Sequence, residues 1–286
     1  MRSIPNPGVE DKNTNPQRCG VFGVEGLNRD AAVRMNLLPL VNRELRTAVR
    51  RPQGYRIRLA TAGAPVFLSF WAMLVWGGWT AGATLGITLL HALALAGFVA
   101  TLLSGVIIAA DCLSQEKREA TLGLLWVAGL KPPELVLGKL AGKIVVPFYA
   151  LIGMLPGFAV CILLGGVTGG EFCRLLLALM NALFWSVSAG LLASSFCRQQ
   201  RTAYSSALLL LLLAAGGFPL LGKLAASGSS NRLWADLGLL ISPTGNYQFA
   251  YDQRYSTGPF WYWGSVAATQ VLAWLSFALA CGFVAH

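Results

Sequence analysis

The sequence predicts an all-α, polytopic membrane protein with six transmembrane helices, and three observations carry that reading. The 286 residues are 55% hydrophobic and only 12% charged. The apolar residues arrive in uninterrupted blocks rather than with the period of a half-buried soluble helix. The third observation is the placement of charge. With segments at 58–79, 84–110, 144–164, 173–196, 203–222 and 260–284, and the N-terminus inside, 18 of the 22 Lys and Arg residues lie on the cytoplasmic side, against Arg174, Lys223, Arg232 and Arg254 outside. The positive-inside rule then puts both termini in the cytoplasm of a multi-pass inner-membrane protein. The net charge of +10 needs no nucleic-acid partner, because no aromatic-interleaved basic motif accompanies it.

Residues 1–35 are polar, carry Pro5, Pro7 and Pro16, and lack the apolar core of a signal peptide, so they read as a disordered tail. Met35, just before the first amphipathic stretch, is a candidate natural start. Residues 36–56 read as an amphipathic interfacial helix. Leu38, Val41, Leu45 and Val49 share one face, and Arg43, Glu44, Arg46 and Arg50 lie off it, the arginines placed to meet anionic headgroups of the lipid bilayer.

The six-span membrane domain occupies 57–286. Its first segment carries Gly63 and Pro65, which permit a kink, and ends in Trp76 and Trp79. Trp261, Tyr262 and Trp263 read as aromatic anchors at the same outer level. Gly153-x-x-x-Gly157 in the third segment and Ser186-x-x-x-Gly190-x-x-x-Ser194 in the fourth are small-residue faces for close helix packing. The outer loop 223–258 contains a short apolar run, Leu233 to Ile241, ended by Ser242-Pro243. It is too short to span, and reads as a re-entrant or interfacial element.

Bond chemistry finds little to work with in the spans. Of groups at bilayer depth only His91 and the neutral Asn181 stand out, and a single histidine there reads as a packed interhelical hydrogen-bonder. Paired carboxylates, histidine clusters and Ser/Lys dyads do not occur within the spans, so no catalytic residues are assigned. Six scattered cysteines (Cys19, Cys112, Cys161, Cys173, Cys197, Cys281) show no Cys-x-x-Cys spacing and read as small hydrophobes. Gly138-Lys139 and Gly142-Lys143 lack the following Ser or Thr of a P-loop, so no nucleotide, metal or other cofactor site is expected.

One stretch departs from the short loops expected between membrane helices. Ser114 is placed to cap a helix over about 114–130. Glu116 and Glu119 fall in its first turns, where the macrodipole favours acid, and Leu122, Leu125 and Trp126 continue as an apolar stripe before Pro132-Pro133. A short helix charged at one end and membrane-adherent along one side suits the docking of a soluble partner.

Ser114 to Leu125, with Val136-Leu-Gly-Lys-Leu140 downstream, resembles the permease subunits of type 2 (ABC-2) ABC transporters, in which a Ser/Arg-Glu-x-Glu-Gly-Thr-Leu-Glu-Leu-Leu stretch follows the second span. Asn42-Arg43-Glu44-Leu45-Arg46 and the basic stretch Arg198 to Ala203 are similar to further parts of that family. Ala120 and Gly123 stand where the family commonly has Gly and Glu.

The resemblance implies an exporter-type permease that pairs with a second permease half, identical or not, and is powered by a separate ATP-binding cassette ATPase subunit. It implies that Glu116, Lys117, Arg118, Glu119, Thr121, Leu122, Leu125 and Trp126 form the ATPase-coupling helix. Some relatives continue into a further membrane half, so the stop at His286 leaves open whether this is one half of a longer permease. A membrane scaffold that only recruits a soluble partner, and a secondary transporter, are the competing readings from other classes. The substrate is not legible.

Overall fold

The computed structural model describes residues 52–76, 82–110, 132–197, 199–229 and 233–285. All regular structure among them is helical: α1 (Pro52–Trp76), α2 (Gly82–Ala109), α3 (Pro132–Leu164), α4 (Gly169–Phe196), α5 (Gln200–Leu212), a π-helical turn (Leu213–Gly217), α6 (Phe218–Ser229), α7 (Leu233–Leu240), α8 (Pro243–Phe249), α9 (Asp252–Tyr255) and α10 (Pro259–Ala285). The segments Gly82–Ala109, Ile144–Leu164, Gly169–Phe196, Gln200–Gly228 and Pro259–Phe283 are each long and apolar enough to cross a membrane, and α1 adds a shorter apolar run, Leu59–Val75.

The fifth span departs from the sequence expectation. It runs from α5 through the π-turn into α6 and so ends at Ser229, well beyond Gly222.

Helix α4 is the centre of the bundle and the most enclosed span. It packs on α2 along one face and on α10 along another, while α1 lies on α3 at the periphery. The small-residue faces have the expected use. A methyl group on Gly190 would lie 2.8 Å from the Ala109 Cβ and 3.1 Å from the Gly105 carbonyl oxygen, and the Ser186 hydroxyl donates to the Leu102 carbonyl. Gly157 faces Pro65 of α1, where a Cβ would collide. The Pro65 carbonyl accepts from the Ser69 hydroxyl at 2.8 Å.

Helices α3 and α4 are joined by a turn of four residues. Gly165 and Gly166 have φ of 88° and 81°, a left-handed backbone that a side chain would strain. Thr168 then caps α4, its hydroxyl accepting from the Glu171 amide at 3.1 Å.

The run Leu233 to Ile241 forms one limb of a helical hairpin. Helix α7 doubles back along α6, and α8 climbs out again between α4 and α10. Asn246 on α8 reaches Thr269 on α10, which in turn meets Asn181, about 18 Å along α4 from Gly169. The hairpin therefore turns inside the bundle. Its approach to α6 is backbone on backbone, because both contact positions are glycine. A Cβ on Gly238 would sit 2.6 Å from the Phe218 carbonyl oxygen and 2.9 Å from the Gly222 Cα.

This packing predicts a sharp contrast. Gly238→Leu forces α6 and α7 apart and lowers stability by about 1–3 kcal/mol, the ordinary cost of overpacking. Gly228→Leu, where no atom lies within 4 Å, leaves it unchanged. Thermal unfolding of the two purified variants in the same detergent measures the difference, and equal midpoints would contradict the packing.

Candidate functional site

Polar residues recur along one side of α4 at Thr168, Glu171, Arg174 and Asn181, spacings of three, three and seven that keep them on one helix face. That face meets the outgoing limb of the hairpin. Arg174 donates from Nε to the Ala250 carbonyl at 3.0 Å, forms an ion pair with Asp252, and lies over the Tyr255 ring with its guanidinium carbon 4.0 Å from the centroid. Thr168 donates to Asp252 Oδ2 at 2.6 Å, and Glu171 accepts from the Asp252 amide at 3.4 Å. One arginine thus engages a carbonyl, a carboxylate and an aromatic face at once, where Lys offers only a point charge.

Tyr262 completes this knot. It is fully buried, with its hydroxyl donating to the Arg174 carbonyl at 2.9 Å. The expectation that it anchors an interface beside Trp261 and Trp263 is corrected, since only Trp263 of the three is strongly exposed.

A second group joins α2 to the hairpin. The His91 ring stacks on Tyr251 with centroids 4.3 Å apart and planes 9° from parallel. Tyr251 donates to the Tyr247 hydroxyl at 2.6 Å, Tyr247 donates to the His91 carbonyl at 3.5 Å, and the Tyr247 ring stacks on Phe98. The His91 ring is 2.8 Å, at Nδ1, from the carbonyl of Ile87 on its own helix. Among the described residues its side chain meets another helix by stacking, in place of the interhelical hydrogen bond expected of it.

Deepest lies a neutral triad. Asn181 Nδ2 donates to Thr269 Oγ1 at 2.6 Å and to the Val266 carbonyl at 3.2 Å, and Asn246 Nδ2 donates to the same Thr269 oxygen at 2.8 Å. Thr269 itself donates back into α10, to Ser265, so its hydroxyl is saturated. Each amide Oδ1 is buried with no donor among the described residues. Rotating either amide only exchanges which atom faces away.

At the hairpin apex, Ser242 caps α8 by accepting from the Thr244 amide at 3.1 Å. Both hydroxyls also reach the Ala215 carbonyl of the π-turn, Thr244 at 2.5 Å and Ser242 at 3.4 Å.

The arrangement clamps a polar, irregular segment inside an apolar bundle. It holds no nucleophile beside a base, and no three His, Cys, Asp or Glu side chains among the described residues gather as a metal group. The sequence signalled these groups only faintly. In the sequence Arg174 reads as an outer charge, and no pattern marks Asp252 as its partner. The heptad interval from Arg174 to Asn181 was the available sign.

The residues expected to couple to an ATPase, Glu116, Lys117, Arg118, Glu119, Thr121, Leu122, Leu125 and Trp126, lie outside the described residues. So do Arg43, Glu44, Arg46 and Arg50 of the expected interfacial helix. At the end of the bundle where those segments join, Arg201 is exposed at the start of α5.

A search of curated proteins found no match. Comparison with protein-family models gave one that covers nearly the whole chain. Residues 12–286, which include every helix above, the clamped hairpin and the segments on either side of α1, match the model described as ABC-2 family transporter protein, and the chain belongs to that family.

Proposed function

We propose that this chain is the permease subunit of an ATP-driven exporter, forming a translocation path as a dimer of six-helix halves, with ATP hydrolysed on a separate ATP-binding cassette subunit. Family membership makes it a multi-pass membrane component of a transporter, and not itself a catalytic subunit. The observation that carries the finer reading is the extent of that match. A single family model takes in the charged stretch Ser114 to Trp126 together with all the spans, which supports reading the stretch as part of the transport domain.

In this reading Glu116 to Trp126 is the coupling helix, and the Arg43 to Arg50 segment lies along the inner face of the inner membrane. The end of the bundle bearing Arg201, with both chain termini, faces the cytoplasm, as the 18 to 4 division of basic residues supports. The Arg174 knot and the mouth of the hairpin then face outward. The hairpin shapes that end of the path.

Orientation is tested by two probes. A reporter fused after Lys131 is expected to be cytoplasmic, and Thr257→Cys is expected to react with a membrane-impermeant maleimide applied to intact cells. An external signal at Lys131 overturns the arrangement of every loop.

Coupling is tested by charge reversal. Glu116→Lys with Glu119→Lys places positive charge where the ATPase is expected to receive negative charge. Disrupting a partly desolvated charge contact costs about 2–5 kcal/mol, which weakens the complex by a factor of about 30 or more. The doubly reversed chain should insert and dimerise normally, yet fail to copurify with its ATPase or to stimulate it. Wild-type binding and stimulation by that variant would remove the coupling role.

A further inference from the structure

The fifth span contains a break with a cause in its own sequence. Pro219 has no N–H to direct at the carbonyl of Ala215, four residues back, and in a regular α-helix its ring would crowd that same oxygen. The helix avoids the crowding by widening over Leu213–Gly217, where the Phe218 amide reaches back five residues to Leu213. Widening does not return the missing proline donor. The hairpin apex supplies donors instead, from Thr244 Oγ1 at 2.5 Å and Ser242 Oγ at 3.4 Å, both to the Ala215 carbonyl.

Below the break, α5 packs on α4 and α2. Above it, α6 has its main helix contact with α7 of the hairpin. Gly216 and Gly217 stand directly before α6, and nothing lies within 4 Å of Gly216 on its side-chain side. The lower half of the span is thus fixed to the bundle, and the upper half is fixed to the hairpin.

We propose that Pro219 and the π-turn form a hinge in the fifth span, and that Thr244, with Ser242 beside it, is the positioning residue that splints the hinge by capping the carbonyl the proline leaves unpaired. While the apex is docked, the bend of the span is set. When the apex withdraws, the Ala215 carbonyl loses both donors and α6 is free to swing on its glycines, carrying the packed α6–α7 pair. The inference goes beyond the transport reading and stands without it, because its readout is the shape of one helix.

The test uses the purified full chain in lipid nanodiscs, with the six native cysteines replaced and spin labels attached at Ser205→Cys and Leu224→Cys, one on each side of the hinge and about 28 Å apart along the axis. Pulsed electron–electron resonance should give one narrow distance distribution. Thr244→Val, which keeps the shape and removes the donor, should add a second population, shifting the ratio of the two by about fivefold, the shift carried by one hydrogen bond of ordinary strength. Thr244→Ser should restore the narrow distribution. Pro219→Ala returns an amide donor to the Ala215 carbonyl, so adding Thr244→Val to that variant should change nothing. An unchanged distribution in Thr244→Val overturns the splint, as does an equal broadening with and without Pro219→Ala, which would mark a general loosening. Ser242→Ala carries the same comparison if Thr244→Val fails to accumulate in the membrane.

Discussion

Every backbone amide and carbonyl at membrane depth must find a partner within the protein, because the lipid offers none. Straight spans meet this requirement automatically. The turn of the hairpin does not, and the interior of the bundle is arranged around it. At the apex the Ser242 amide bonds to the Leu239 carbonyl, the Gly245 amide bonds to the Ser242 carbonyl, and the Thr244 amide bonds to the Ser242 hydroxyl. The proline-vacated carbonyl of the neighbouring span accepts the hydroxyls that remain. Two irregular segments, each costly alone, satisfy one another.

The same economy explains where charge is tolerated. Glu171 is buried at the head of α4, beside the capping threonine, in the first turn where the macrodipole favours a carboxylate. Arg174 one turn deeper meets Asp252, and three kinds of partner share its guanidinium. Further in, charge gives way to amides and a hydroxyl, Asn181, Asn246 and Thr269, whose desolvation cost is far smaller. Polarity is graded along the hairpin, from ionic at its mouth to neutral at its tip.

Uninterrupted apolar blocks made the six segments legible, since a stretch of about 20 such residues has few other uses. Small-residue faces were equally readable, because Ser186 and Gly190 permit a close approach whatever partner supplies it. The hairpin was only half legible. Leu233 to Ile241 is visibly too short to span, but its depth depends on Gly222 and Gly238 meeting backbone to backbone and on Asn246 finding Thr269 twenty-three residues later. Tyr262 shows the limit most clearly. In sequence it sits between two tryptophans at a helix start and looks like them, and only the arginine carbonyl on another helix turns it inward. Pro219 carries no mark of its role in the sequence, because a proline in a membrane helix implies a broken hydrogen bond without saying which residue mends it.

The third helix is much longer than its apolar part. Its 33 residues include the 21 of Ile144–Leu164, and the twelve before them, Pro132 to Lys143, extend the rod by about 18 Å. At the far end the helix reaches the cap of α4 through a turn of only four residues, Gly165 to Thr168, whose two glycines adopt the left-handed backbone. Helix α3 therefore links the charged stretch of sequence before Pro132, through one short turn, to Thr168 and Glu171, the residues that hold Asp252 at the mouth of the hairpin.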